Sequence, residues 1–202
     1  SGALSWSTVS GSGGSGATSI TGLSDALVES NSIYVGNDPS STTSTAQYNV
    51  AVGTTALDAI TEGDYNTAVG HNAMTAHTTG SYNTAIGADA MLDNTTGSHN
   101  NALGADALKT NTTGEKNNAI GYQVMIANTT GSNNTAIGHE ALYANKSASA
   151  NTAVGHKALY SNTTADSNSA VGAYSLTNNT TGTKNTSMGH SALSANTTGT
   201  NN

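Results

Sequence analysis

The chain is built from a 17-residue repeat that begins at Asn31 and continues to residue 200 without insertion or deletion. Ten copies fit the consensus x-N-T-A-[IV]-G-x-x-A-L-x-x-N-T-T-G-x, in which Asn31 occupies position 1. Two of them read YNTAIGADAMLDNTTGS (82–98) and NNTAIGHEALYANKSAS (133–149). Because so short a unit cannot form a core alone, it must stack on its neighbours. The repeat therefore predicts a stack of coils in which each position forms a row.

Large apolar residues are scarce in this chain. Leu, Ile and Val number 27 of 202 residues, about 13%, and Phe is absent. A content under about 20% is typical of disorder, which usually also needs a high net charge, but the net charge here is only -7. The repeat argues against disorder. A compact enzyme with one large core is not expected, because the chain has too little apolar surface to offset the ordering entropy.

The residue types at each position predict their roles. Position 5 is aliphatic or Met and position 10 is Leu or Met in nine of ten copies, so we interpret these two as the buried rows. Ala at positions 4 and 9 fits a close approach of backbones. Gly at position 6 predicts a positive φ or a place without room for a Cβ atom. Asn at positions 2 and 13 predicts bonds to turn backbone or an Asn ladder. The Gly of Thr-Thr-Gly predicts a left-handed turn residue.

These rows predict an all-β or β-rich repeat fold, a parallel β-solenoid or β-roll of ten 17-residue coils. N-T-A-I-G is assigned to a short strand in every coil. The A-L segment is rich in helix formers, so a single helical turn competes with a second short strand, and we favour the helical turn. At a rise of ~4.8 Å per coil, ten coils form a rod of roughly 48 Å.

Two large apolar side chains per coil give a thin core. The coils are either a narrow single-chain solenoid held by backbone and Asn/Thr rows, or they associate laterally so that the Ala rows are buried as well. We favour a parallel homotrimer.

Three segments are expected along the chain. Residues 1–19 are Gly/Ser-rich and predict a flexible linker, with Trp6 as an anchor into a preceding module. Residues 20–30 predict a short helical N-terminal cap that Ser24 begins. Residues 31–202 form the solenoid.

The solenoid stops early in an eleventh copy. Asn201 and Asn202 occupy positions 1 and 2 of that copy, so we expect the array to continue in a longer protein.

Other counts exclude several function classes. The chain has no Cys, which excludes disulfides and thiol nucleophiles, and only five Lys with no Arg, which excludes a basic nucleic-acid-binding face. No apolar run approaches the ~20 residues that span a bilayer.

Candidate metal ligands are the position-7 histidines His71, His139, His156 and His190. The same position holds Thr54, Ala88 and Tyr122, which favours a polar surface position over a metal site. Asp89, Asp106 and Glu140 share position 8, where the two Asp side chains either repel mildly, hold a cation or are solvated. No catalytic set stands out, so we assign no catalytic, cofactor-binding or metal-binding residue and predict no enzymatic activity.

Two further patterns leave functional alternatives open. Sequons of the form N-x-T/S follow from the turn chemistry and imply glycans only in a eukaryotic secreted protein. The position-3 row is rich in Thr, as an ice-binding face requires, but Asn101, Asn118 and Ser169 interrupt it.

The repeat resembles two groups of fibrous proteins. N-T-A-I-G followed by a turn is similar to the S-x-A-x-G strand of trimeric autotransporter adhesin heads, which are homotrimeric parallel β-rolls. Residues 20–70 together with NTAIGxxALxxNTTG resemble tail-fibre and other virion structural proteins of marine tailed phages, notably cyanophages.

The resemblance implies a non-enzymatic structural fibre segment. The expected function is a rigid stalk of a phage tail fibre or similar virion appendage that supports host attachment, with a virion or extracellular location. A receptor would be bound by regions outside these coils, with no nucleic acid and no membrane insertion. The alternatives are a bacterial extracellular adhesin or filament and, third, an ice-binding solenoid.

Overall fold

The computed structural model describes residues 26–29, 31–36 and 45–202. Within these ranges the chain contains strands and turns but no helix. The strands are β1 (Ala26–Glu29), β2 (Ser32–Val35), β3 (Val50–Val52), β4 (Thr67–Val69), β5 (Thr84–Ile86), β6 (Asn101–Leu103), β7 (Asn118–Ile120), β8 (Thr135–Ile137), β9 (Thr152–Val154), β10 (Ser169–Val171) and β11 (Thr186–Met188). They form one sheet in sequential order.

β2 to β11 are parallel and in register with the repeat. Each pair is offset by one coil, so that Ala68 lies opposite Ala85 and Ile86 lies opposite Leu103. Parallel strands need a crossover connection, and the remainder of each 17-residue coil provides it. This arrangement confirms the predicted parallel β-solenoid with one short strand per coil.

The predicted helical cap at residues 20–30 is wrong where the structure describes it. β1 pairs antiparallel with β2, with Ala26 opposite Val35 and Glu29 opposite Ser32. The first coil is therefore preceded by a hairpin arm that adds an eleventh strand to the sheet. Residues 20–25 and 30 lie outside the described residues, as do the predicted linker at 1–19 and Trp6.

The interior of the coil contains one row of large apolar side chains. Position 10 is buried from Leu57 to Leu176, which confirms the prediction for that row. The small residues at positions 4 and 9 are buried beside it, and Ala85 and Ala90 are representative. The Ala rows are thus enclosed by a single chain and need no neighbouring chain to cover them.

The predicted burial of position 5 is wrong. The strands show an alternating pattern in which position 4 is buried while positions 3 and 5 point outward, as in β7, where Ala119 is buried and Ile120 is 41% exposed. Successive side chains of a strand point to opposite faces, so positions 4 and 5 cannot both face inward. The thin coil accommodates Ala, and the larger side chain lies outside.

The A-L segment is a turn and not the predicted helical turn. Its residues at positions 8 and 10 have positive φ, for example 56° at Glu140 and 51° at Leu142. A helix requires an unbroken run of negative φ angles, so this alternation is incompatible with one. Val and Ile are disfavoured at positive φ, which explains why position 10 of the described coils holds Leu or Met.

A ladder of buried asparagines at position 2 joins successive coils. The Oδ1 atom of each Asn accepts the backbone N–H of position 2 in the next coil at 2.8–3.1 Å. The Nδ2 group donates to the carbonyl of position 16, as Asn117 does to Gly131 at 2.8 Å. We call this the first Asn row.

A second Asn row runs along position 13 from Asn94. From Asn111 onward each Nδ2 group donates to the Asn Oδ1 atom of the preceding coil and to the carbonyl of position 16 in its own coil. Asn128, for example, donates to Asn111 at 2.7 Å and to Gly131 at 3.1 Å. Both roles predicted for Asn are therefore confirmed, and the amides satisfy the buried backbone of the coil.

Glycine is required for different reasons at positions 6 and 16 of the repeat. At position 6 φ is positive, and a Cβ atom on Gly121 would lie 2.8 Å from the Gly138 carbonyl oxygen, so both predictions hold. At position 16 no described Gly has a positive φ, and the predicted left-handed turn is wrong. There the constraint is space, since a Cβ atom on Gly114 would lie 2.4 Å from the Gly131 carbonyl oxygen.

We predict that Asn117→Ala destabilises the solenoid, because the buried backbone N–H of Asn134 then loses its acceptor. An unsatisfied buried donor costs about 1–3 kcal/mol. Urea denaturation followed by circular dichroism measures the loss. The matched control is Asn118→Ala at the neighbouring exposed position, which should change the midpoint little. Equal effects of the two substitutions would contradict the role of the first Asn row.

We also predict that Gly121→Val disrupts its coil, since φ is 135° and the added Cβ atom meets the next backbone at 2.8 Å. The measurement is the far-ultraviolet circular dichroism spectrum, together with protease resistance. An unchanged β-type spectrum and unchanged resistance would refute the assigned role of position 6.

Candidate functional site: the outer face of the strands

The outward side chains of β2 to β11 form one continuous surface, which we call the strand face. It consists of the side chains at positions 3 and 5 of the ten coils. Position 3 contributes Ile33, Val50, Thr67, Thr84, Asn101, Asn118, Thr135, Thr152, Ser169 and Thr186. Position 5 contributes Val35, Val52, Val69, Ile86, Leu103, Ile120, Ile137, Val154, Val171 and Met188.

The strand face is apolar along one row and uncharged throughout. Neither row contains Asp, Glu, Lys or His. Leu103, Ile120 and Ile137, in the middle of the row, are 47%, 41% and 39% exposed. Single exposed apolar residues need no explanation, but a contiguous apolar stripe of this length is typical of an interaction surface.

Stacked aromatic rings stand immediately before the strands, at position 1. Tyr48, Tyr65, Tyr82 and His99 stack with centroid distances of 4.7, 5.0 and 5.1 Å. Desolvation, followed by the neighbouring Tyr48 and Tyr82, raises the pKa of the Tyr65 hydroxyl. Because the ring faces cover one another, this row offers ring edges and hydroxyls to solvent.

A second row of aromatic rings lies after the strands, at positions 7 and 8. Tyr122, His139 and His156 stack at 5.5 and 5.0 Å. The Nδ1 atoms of His139 and His156 are 3.1 Å apart, and Nε2 of His156 is 3.1 Å from the Tyr174 hydroxyl. These distances are consistent with a chain of hydrogen bonds from the Tyr174 hydroxyl through His156 to His139.

The structure brings together only two of the four position-7 histidines. His139 and His156 lie in adjacent coils and contact each other, whereas no coil next to that of His71 or His190 has a histidine at position 7. His190 packs instead against the Tyr174 ring at 5.9 Å. Within residues 26–29, 31–36 and 45–202, no three His, Cys, Asp or Glu side chains lie where they could hold a metal ion.

The stacked carboxylates at position 8 do hold a cation, the ammonium group of Lys109. Its Nζ atom lies 2.9 Å from Asp89 and 2.9 Å from Asp106. The hydrogen bond from Lys109 lowers the pKa of the Asp89 carboxyl, with a smaller contribution from Asn72, and the two carboxylates raise the pKa of Lys109. The spacing of Asp106 and Lys109, three residues apart, was the available sequence signal for this bridge.

A further position-8 carboxylate, Glu140, pairs with Lys157 in the next coil at 3.2 Å. Hydrogen bonding to Glu140 raises the pKa of Lys157. Both charged clusters are therefore ion pairs between coils, and neither brings acid, base and nucleophile together.

His77 occupies position 13, the Asn position, and sequence reasoning did not single it out. It is buried, with Nε2 2.7 Å from the Gly80 carbonyl oxygen and Nδ1 2.9 Å from Nδ2 of Asn94. One neutral tautomer satisfies both contacts, with Nε2–H donating and Nδ1 accepting. Burial lowers the pKa of the imidazole.

Among the described residues, no helix is long and apolar enough to cross a membrane. Comparison with protein-family models, with curated proteins and with solved structures found no match to this chain.

We predict that His77 makes stability fall at acid pH. Because the folded pKa is lowered, the unfolded chain binds a proton that the folded chain excludes once the pH drops below about 6.5. His77→Asn restores the consensus residue and serves as the control, since every other titrating group is shared. The free energy of unfolding from urea denaturation should fall for the original chain relative to the variant between about pH 7 and pH 5, by up to about 1.4 kcal/mol per pH unit. A pH-independent difference would contradict the prediction.

Proposed function

We propose that this chain is a structural fibre segment, a rigid stalk of a phage tail fibre or similar virion appendage that supports host attachment. The observation that carries the proposal is the uncharged, apolar strand face that runs the whole length of an unbroken parallel stack. A stack of in-register coils forms a long and stiff element. Its described part contains no catalytic constellation. The resemblance of its repeat to virion structural proteins supports the same assignment.

The partner proposed for the strand face is a second copy of this chain. The face repeats once per coil, so only an object with the same period can match it along its length. Three residues per strand over ten coils give on the order of 500 Å². Counted on both copies of a pair, this is about 1,000 Å² in total, the lower limit of a specific interface.

We propose a parallel homotrimer as the assembled form. Parallel packing keeps equal rows opposite one another, and the absence of charge from positions 3 and 5 removes repulsion between identical faces. The Ala rows, which are already buried within each coil, contribute nothing to this contact, whereas the aliphatic row at position 5 does.

The assembly is tested by the mass in solution. Light scattering should give about 60 kDa, three times the chain mass of 20.0 kDa. Leu103→Lys combined with Ile120→Lys should reduce it to the mass of one chain, because two charges per copy then enter the apolar contact. Thr113→Lys combined with Thr130→Lys is the matched control, since it adds the same charges at exposed positions of the same two coils.

A folded species of one chain mass for the original sequence would contradict self-association. Equal dissociation by both double variants would show that the strand face is not the contact. Circular dichroism of each variant confirms that the coils remain folded.

The cellular role is tested by immunogold electron microscopy of the source material with antibodies against the coils. Labelling of virion appendages supports the fibre assignment. Labelling confined to bacterial envelopes would overturn it in favour of the alternative, an extracellular adhesin or filament with the same repeat.

Ice binding is a second candidate because it would use the same surface. The partly exposed Thr67, Thr84, Thr135 and Thr152 lie on the strand face, although Asn and Ser interrupt their row. Thermal hysteresis of the folded chain would favour this candidate, and its absence would remove it.

A further inference from the structure

The ten N-x-S/T sequons of the chain fall into very different environments. Six belong to the second Asn row, and these asparagines are buried: Asn94, Asn111, Asn128, Asn145, Asn162 and Asn179. Asn185 is buried in the first Asn row, and Asn196 in the last coil is half-buried. Only two sequon asparagines are exposed, Asn133 at position 1 and Asn178 at position 12.

The buried sequons are closed to N-glycosylation for a chemical reason. In the N-glycosyl transfer from a sugar nucleotide, the amide Nδ2 atom attacks the anomeric carbon of the sugar and loses one proton. The bond from the anomeric carbon to the diphosphate breaks, and a nucleoside diphosphate leaves. Asn128 already donates from Nδ2 to Asn111 Oδ1 and to the Gly131 carbonyl. The transfer removes one of these donors and adds a sugar where the side chain has no accessible surface.

The exposed sequons do not meet this obstacle. Asn133 lies outside both Asn rows, and its backbone N–H donates to the Glu115 carbonyl. Asn178 donates from Nδ2 to the Ser194 carbonyl at 2.8 Å in an exposed contact, which leaves a second amide proton. A sugar on either side chain extends into solvent and leaves both rows intact.

We propose that Asn133 and Asn178 are the N-glycan acceptor sites of the folded coils, and that the fold excludes N-linked sugars from the two Asn rows. The proposal is independent of the fibre function. Its consequence is that a chain glycosylated along the rows before folding cannot close its coils.

The test uses the full folded chain, a soluble N-glucosyltransferase and UDP-glucose, with site occupancy read by peptide mass spectrometry. The reference is a synthetic peptide of residues 116–140, which carries Asn128 and Asn133 without neighbouring coils. We expect similar glucosylation rates at the two sites in the peptide. In the folded chain Asn133 should keep a measurable rate, while Asn128 should be slower by about 100-fold or more, because it reacts only when the coil opens.

Two variants assign the signals without disturbing the rows. Thr130→Ala removes the Asn128 sequon at an exposed position, and Thr181→Ala removes the Asn179 sequon while leaving that of Asn178. Glucosylation of Asn178 should persist in the Thr181→Ala chain. Modification of Asn128 in the folded chain at its peptide rate would overturn the proposal, as would complete protection of Asn133 or Asn178.

Discussion

The solenoid depends on hydrogen bonds inside the coil. The Gly131 carbonyl accepts from Asn117 Nδ2 at 2.8 Å and from Asn128 Nδ2 at 3.1 Å. One backbone oxygen thus links the first Asn row, near the start of the coil, to the second row, near its end. A coil of only 17 residues buries many of its own backbone N–H and C=O groups. Those buried groups need hydrogen-bond partners. Asparagine supplies both a donor and an acceptor, which aliphatic side chains cannot do.

The handedness of the backbone decides which apolar residue stands in each row. Position 10 is in the left-handed region, as at Leu108 with φ of 52°, and there Leu and Met are used. Position 5 is in a strand, where β-branched Ile and Val fit well. The two rows therefore look alike by hydrophobicity but differ in branching, and the difference reflects backbone conformation. Which of the two rows is buried is a separate matter: position 5 points outward because successive side chains of a strand alternate between its two faces.

The period of the sequence was sufficient to predict the parallel register, the strand at N-T-A-I-G, the buried row at position 10 and the Asn ladders. It was not sufficient to orient the strand, because the larger aliphatic at position 5 was assigned to the core ahead of Ala at position 4. The thin interior reverses that preference. The helical turn failed because helix propensity is a weak prior, and it does not register a backbone that alternates between right- and left-handed residues.

The strand face was the least predictable part of the molecule, because the sequence pattern assigned its apolar row at position 5 to the core. Lys109 bridges Asp89 in the preceding coil and Asp106 in its own, a contact that needs the stacked geometry to be seen. His77 is a departure from the Asn consensus whose two ring nitrogens reproduce Asn contacts. The repeat shows where such substitutions occur in the sequence, but only the folded coil shows that they are buried.

The row at position 5 has a requirement that the single chain does not explain. Inward positions are fixed by packing and hydrogen bonds, whereas the outward position 7 varies freely and holds Thr54, Ala88, Tyr122 and His139. Position 5 is outward as well, yet it is aliphatic or Met in all ten copies. Strand propensity alone would also admit Thr or Tyr there. The persistent choice of an uncharged aliphatic side chain at an exposed position therefore supports the proposed contact with a second copy, whose own row has the matching period.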